Sequence, residues 1–201
     1  MYQGCVGSRE FTTFKDALKA PEKVRRLYVI VASPKTELPD FRQFLELEEL
    51  TLLGGLRHVT EFPRIFDCRK LRRLTFTGSS VARIPSGFSR LAKLEQLVIV
   101  GNRSLTQLPE DIVELPRLAH LRIDTNALRR LPKHMDRLSG LVELVAYNNH
   151  IRQIPPSLYR MPKLRWLELQ QNRLARAPVP LMKMKLRHLL TDFDQIRRLR
   201  S

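Results

Sequence analysis

Three observations predict an α/β solenoid: a stack of short coils whose strands form one curved parallel sheet of seven to eight strands, with short helical or irregular segments on the convex side. First, the 201-residue chain repeats itself. The stretch "LAHLRIDTNALRRLP" (118–132) has relatives in "LRRLTFTGSSVARIP" (71–85), "LEQLVIVGNRSLTQLP" (94–109), "LVELVAYNNHIRQIP" (141–155) and "LRWLELQQNRLARAP" (164–178). The leading apolar residues Val24, Leu47, Leu71, Leu94, Leu118, Leu141, Leu164 and Leu186 are 22 to 24 residues apart, so about eight units share one period. Second, apolar residues alternate within each unit, the pattern of a short strand with one buried face. Third, about 17 residues per unit then remain for the return crossover that parallel neighbours require. No unit can bury its leucines alone, so stacking must supply a common core.

In chain order, residues 1–10 read as a flexible tail and 11–23 as an N-terminal capping helix. Thr13 can cap a helix whose Phe14, Ala17 and Leu18 share a face, and Pro21 stops it. Such a helix would cover the end of the core. Residues 24–201 form the solenoid, with strands expected near 26–30, 49–53, 73–77, 96–100, 120–124, 143–147, 166–170 and 188–191. Phe88/Leu91, Ile112/Leu115, Met135/Leu138 and Leu158/Met161 are expected inside the return arms. Cys68 occupies the slot of Leu91 and Leu115, so it reads as a core residue rather than a reactive thiol. The first and last units are degenerate. "LRHLLTDFDQIRRLRS" lacks the closing proline and an obvious capping helix, so either its charges shield the core edge or the chain belongs to something longer.

The units fit L-x-x-L-x-L-x-x-N-x-L-x-x-L-P, with small substitutions and one inserted residue. This resembles the leucine-rich repeat family in its 23-residue form, over about residues 24–199. The resemblance implies a right-handed solenoid and a ladder of buried amides, Asn102, Asn126, Asn149 and Asn172, bonded to backbone where each strand turns. The physical need is general, because buried turn groups must find hydrogen-bond partners. Ala32, Gly55 and Ser79 depart from the pattern in the early units. Asn148, one step before its ladder neighbour, is expected to be exposed and expendable.

Alternation also names the outward residues. The third, fifth and seventh positions face the concave side, giving for example Arg26, Tyr28 and Ile30 in the first unit. The sharpest cluster is His120, Arg122, Asp124, Glu143, Tyr147, Trp166 and Glu168. Tyr, Trp and Arg are the side chains most often found at binding hot spots, and nothing in the core requires these ones there. In "HLRIDTN" the histidine, arginine and aspartate loosely echo the kinase H-R-D loop, but they alternate where that loop needs them contiguous. Strand geometry explains their arrangement.

Net charge is +16, with 26 Arg against 10 Lys. The concave positions carry Arg26, Arg73 and Arg122 against Glu49, Asp124, Glu143, Glu168 and Asp192, about −2 in all. The excess lies after the asparagine turn, where Arg83, Arg129, Arg130, Arg152 and Arg176 would stack into a flank stripe. That stripe reads as a solvated edge or as a polyanion dock.

No phosphate loop, H-E-x-x-H, G-x-S-x-G or spaced C-x-x-C is present in the sequence. "TDFDQ" offers two carboxylates without a partner acid or metal cluster. Two cysteines are too few for a disulfide framework, and no apolar run approaches the ~18 residues of a membrane span. The expectation is therefore a non-enzymatic, monomeric protein- or peptide-binding module that uses its concave face and needs no metal or cofactor. Two alternatives stay open: a nucleic-acid or acidic-surface binder using the arginine flank, and a recognition fragment of a larger protein. A cytoplasmic location is expected, or an exported lipoprotein if the natural gene starts upstream of Gly4-Cys5.

Overall fold

The structure, a computed structural model, describes residues 10–31, 37–54, 64–78, 81–175 and 179–192. Among them, nine short parallel strands form one sheet in sequence order. They are β1 (Glu10–Phe11), β2 (Arg26–Val31), β3 (Glu49–Gly54), β4 (Arg73–Thr77), β5 (Gln96–Val100), β6 (His120–Arg122), β7 (Glu143–Val145), β8 (Trp166–Glu168) and β9 (His188–Leu190). Strict alternation of exposed and buried residues along β2 shows why these segments are strands. Leu27, Leu50, Leu74, Leu97, Leu121, Leu144 and Leu167 fall on the inner face of successive strands and are buried. Each burial removes an apolar side chain from water, a gain of about 1.5–3 kcal/mol relative to exposure.

Short 3-10 turns carry the chain back across the core. They deliver Phe41, Ile65, Phe88, Ile112, Met135 and Leu158 to its far side, all buried. Cys68 follows the turn at Ile65–Asp67, is buried, and donates its thiol to the Phe41 carbonyl at 3.3 Å. The first coils fill this side with aromatic rings. Phe14 meets Phe41 edge-on at 6.2 Å between centroids, and Phe66 meets Phe88 at 5.0 Å.

The N-terminal end differs from the sequence expectation. Helix α1 spans only Phe14–Ala17; Thr13 caps it by accepting the Asp16 N–H, and a 3-10 turn follows at Pro21–Lys23. Glu10 and Phe11 are not tail and helix. They pair with Arg26 and Leu27 as an added parallel strand. The cap is thus part strand and part helix, which satisfies the β2 edge as well as covering its core. The tail at 1–9 lies outside the described residues.

The asparagine ladder takes the expected form where it is described. Asn126 accepts the Asn102 N–H at 2.8 Å and donates to the carbonyls of Ile99 and Ile123 at 2.7 and 2.8 Å. Asn149 accepts from Leu128, and Asn172 accepts from Ile151, each at 3.0 Å. Asn102 does the same for Val81 at 3.3 Å. Ala32, Gly55 and Ser79 lie outside the described residues.

The residue before the ladder position is left-handed in six successive coils. Gly54, Gly78 and Gly101 have φ of 87°, 63° and 77°, and Thr125, Asn148 and Gln171 have φ of 56°, 52° and 56°. Asn148 is exposed as expected, but its backbone is constrained and it is not a neutral position.

Candidate functional site

Strand register sorts the concave side chains into rows. One row runs Arg26, Glu49, Arg73, Gln96, His120, Glu143, Trp166 and His188, each paired in register with the next. A second runs Tyr28, Thr51, Thr75, Val98, Arg122, Val145, Glu168 and Leu190. Neighbouring strands lie about 4.8 Å apart, so residues in one row can touch across coils.

Those contacts are made. Arg73 bonds Glu49 at 2.6 Å, and His120 Nδ1 lies 2.9 Å from Glu143 Oε2. The Trp166 indole N–H donates to Glu168 Oε1 at 2.8 Å, and its ring stacks on His188 with centroids 3.6 Å apart and planes 15° apart. His188 Nε2 lies 3.4 Å from the same Glu168 oxygen. Trp166 is nevertheless 41% exposed. The result is an amphipathic platform, an aromatic pair whose indole is bonded to a carboxylate.

The expected seven-residue cluster divides in two. His120, Glu143, Trp166 and Glu168 belong to the platform side. Tyr147 is four residues beyond Glu143, the register partner of Trp166, about 13 Å along the strand at ~3.3 Å per residue. It therefore keeps company with Arg122 and Asp124 instead. The Arg122 Nε–H donates to Asp124 Oδ1 at 2.7 Å, and the Thr125 hydroxyl lies 3.2 Å from Asp124 Oδ2. Hydrogen bonding to Asp124, with a smaller contribution from Tyr147, holds the Arg122 guanidinium above its ordinary pKa. Asp124, expected to be an exposed contact residue, is only 1% exposed. Val145 is buried as well. Alternation fixes the direction in which a side chain leaves the strand, not how far its neighbours cover it.

The same alternation puts His188 outward, but the expected cluster omitted it. The signal was available: it stands one repeat after Trp166 at the same register position. The early coils also present uncharged residues that the cluster omitted, including exposed Tyr28 and Ile30.

On the flank, Arg83, Arg129, Arg130 and Arg152 are exposed. None has an ion-pair partner among the described residues. Arg176 lies outside them. Among the described residues, no group of three or more His, Cys, Asp or Glu could hold a metal ion, and no helix is long and apolar enough to cross a membrane.

A leucine-rich repeat region model matches residues 23–201. The chain belongs to the leucine-rich repeat family. No curated protein matches it in sequence. Among solved structures, this leucine-rich repeat protein is similar to one from Leptospira interrogans, with 25% identity and a TM-score of 0.82 over 90% of this chain and 46% of that one. A plant peptide hormone receptor in complex with RGF2 shares the fold at 19% identity and a TM-score of 0.71, over 91% of this chain and 30% of the receptor chain. An internalin of Listeria monocytogenes shares it at 16% identity and a TM-score of 0.58, over 92% and 58%. The chain thus spans less than two thirds of each of these three. Members of the family are typically protein-binding modules.

Proposed function

We propose that this chain is a non-enzymatic module that binds a protein or peptide on its concave face. One observation carries the reading: an exposed, pre-oriented indole is held by Glu168 and His188 near the C-terminal end of a polar row, on a face that parallel strands keep free of return arms. A rigid aromatic with its side-chain freedom already removed loses little entropy on binding. Eight concave positions per row extend about 35 Å at ~4.8 Å spacing, enough for a standard interface of ~800 Å² per partner. Selection from a displayed peptide library tests it. Clones enriched on the parent protein are expected to lose at least ~2 kcal/mol of affinity on Trp166→Ala. Clones that bind that variant and a Glu143→Ala variant unchanged would place recognition elsewhere.

The flank supports a second reading, a polyanion dock, because Arg83, Arg129 and Arg152 have no acidic partner among the described residues. Phosphate binding through several cations weakens steeply with salt. Reversing Arg83, Arg129, Arg130 and Arg152 to Glu is expected to abolish retention on heparin. Retention equal to the parent's would leave the stripe as a solvated edge.

A further inference from the structure

The return side of three consecutive coils lines an open cleft of about 520 Å³. Its walls come from Glu110 in one coil, from Arg130, Leu131, Lys133 and His134 in the next, and from Gln153 to Pro156 in the third. The position is remote from the concave rows, because it follows the ladder turn and the Leu-Pro step. Two kinds of group meet there. Buried Leu131 and Ile154 together with Pro155 and Pro156 give an apolar floor, and the prolines are rigid rings against which a flat group can lie. Arg130, Lys133 and His134 stand exposed around it.

One carboxylate, Glu110, shares the cleft with the cations Arg130 and Lys133. Glu110 Oε2 accepts the Lys133 backbone N–H at 2.9 Å, so it serves the main chain rather than an ammonium. Arg130 has only a 3.5 Å contact with the Gln107 side-chain oxygen. Neither Arg130, Lys133 nor His134 forms an ion pair among the described residues. A planar guanidinium, an ammonium and an imidazole around one apolar floor suit an oxyanion with several acceptor oxygens. The volume lies within the ~300–1,000 Å³ range of small-molecule sites, which join an apolar lining to a few convergent polar groups.

We propose that this cleft binds an aromatic phosphate, with the ring on the Leu131, Ile154 and proline floor and the phosphate between Arg130, Lys133 and His134. The chemistry is shared by a nucleoside monophosphate and by the phosphorylated ring of a tyrosine side chain. The inference is independent of the concave reading, since it uses none of the same residues.

Amide chemical-shift mapping of the whole chain tests it with four probes: phenyl phosphate, adenosine monophosphate, inorganic phosphate and phenol. The expected result is a saturable shift at Arg130, Leu131, Lys133, His134, Gln153 and Ile154 with at least one of the aromatic phosphates. Inorganic phosphate and phenol should each bind at least tenfold more weakly. Tighter binding of adenosine monophosphate would assign the nucleotide source, and tighter binding of phenyl phosphate the aryl phosphate source. The double variant Arg130→Gln, Lys133→Gln should weaken the aromatic phosphates at least tenfold, while Trp166→Ala leaves them unchanged. Equal shifts with inorganic phosphate, shifts spread along Arg83, Arg129 and Arg152, or unchanged affinity in a folded double variant would each overturn the proposal.

Discussion

Trp166 and His188 lie face to face across adjacent coils, with ring centroids 3.6 Å apart. The contact gives Trp166 two roles. Its exposed face is available to a partner, and its stacked face adds to the coil-to-coil interface. Trp166→Ala should therefore cost about 0.5–1.5 kcal/mol of stability, the range of aromatic pairs. Leu167, the next residue, is fully buried, and Leu167→Ala should cost about 2–5 kcal/mol through the cavity left behind. Denaturant unfolding of both variants measures the difference. Equal losses would mean that the indole is core packing and not a binding surface.

The ladder asparagines should rank by the bonds they make. Asn149 accepts from Leu128 and its amide reaches the carbonyls of Ile123, Ala146 and Tyr147 at 2.9, 3.2 and 3.2 Å. Asn102 has a 3.3 Å bond from Val81 and a 3.2 Å bond to Val100. Asn149→Ala should cost about 1–3 kcal/mol through unsatisfied buried groups, and Asn102→Ala should cost less. The reverse order in equilibrium melts would contradict this account.

The left-handed position sets the third expectation. Asn148→Ala replaces a side chain that tolerates the left-handed region with one that does not, so it should lose about 1 kcal/mol. Gln171→Gly should instead be neutral or stabilising by up to about 1 kcal/mol, since strain is relieved while unfolded-state entropy rises. Should Asn148→Ala prove silent, the turn must be adjusting its backbone.

Gly87 has no such latitude. Its φ is 151°, and a Cβ there would lie 2.4 Å from the Phe66 ring. Phe66 is itself wedged against Phe88. Gly87→Ala should cost about 1–3 kcal/mol, as overpacking of a filled core does. Restoration by Phe66→Leu in the Gly87→Ala background would identify the clash as the cause.

Burial raises the Cys68 thiol to about 12, with nearby Asp67 and Asp40 adding to the shift. At pH 8 its thiolate fraction is then on the order of one in ten thousand, and the thiolate is the reactive form. In a Cys5→Ser background, iodoacetamide should leave native Cys68 unmodified at pH 8 and label it fully in denaturant. Rapid native labelling would show that this coil opens readily.

How much of this was legible in the sequence differs residue by residue. The rows were legible because a period of two along a strand and about 23 between coils fix direction and neighbour. Those two numbers put Trp166 and His120 outward, while the resemblance to the leucine-rich repeat family implied that Asn126 lies inward. Asp124 was misjudged because alternation gives no account of the Arg122 and Thr125 side chains that bond its two carboxylate oxygens. The left-handed turns were signalled by Gly54, Gly78 and Gly101 one step before the ladder position, a pattern that Thr125, Asn148 and Gln171 conceal. Glu10 and Phe11 carry no repeat signature. Two residues are too few for periodicity to speak, and their strand exists because the β2 edge is there to pair with.

The ladder and the strand pairing link each coil only to its neighbours, about 23 residues away in the chain. Tension applied between the two ends would therefore load the coils in series. An end coil has one neighbour to hold it and an internal coil has two, so the stack should peel from its ends. Each detached coil would release roughly 75–85 Å of extended chain at ~3.3–3.6 Å per residue. The molecule is built like a spring that lengthens in uniform steps.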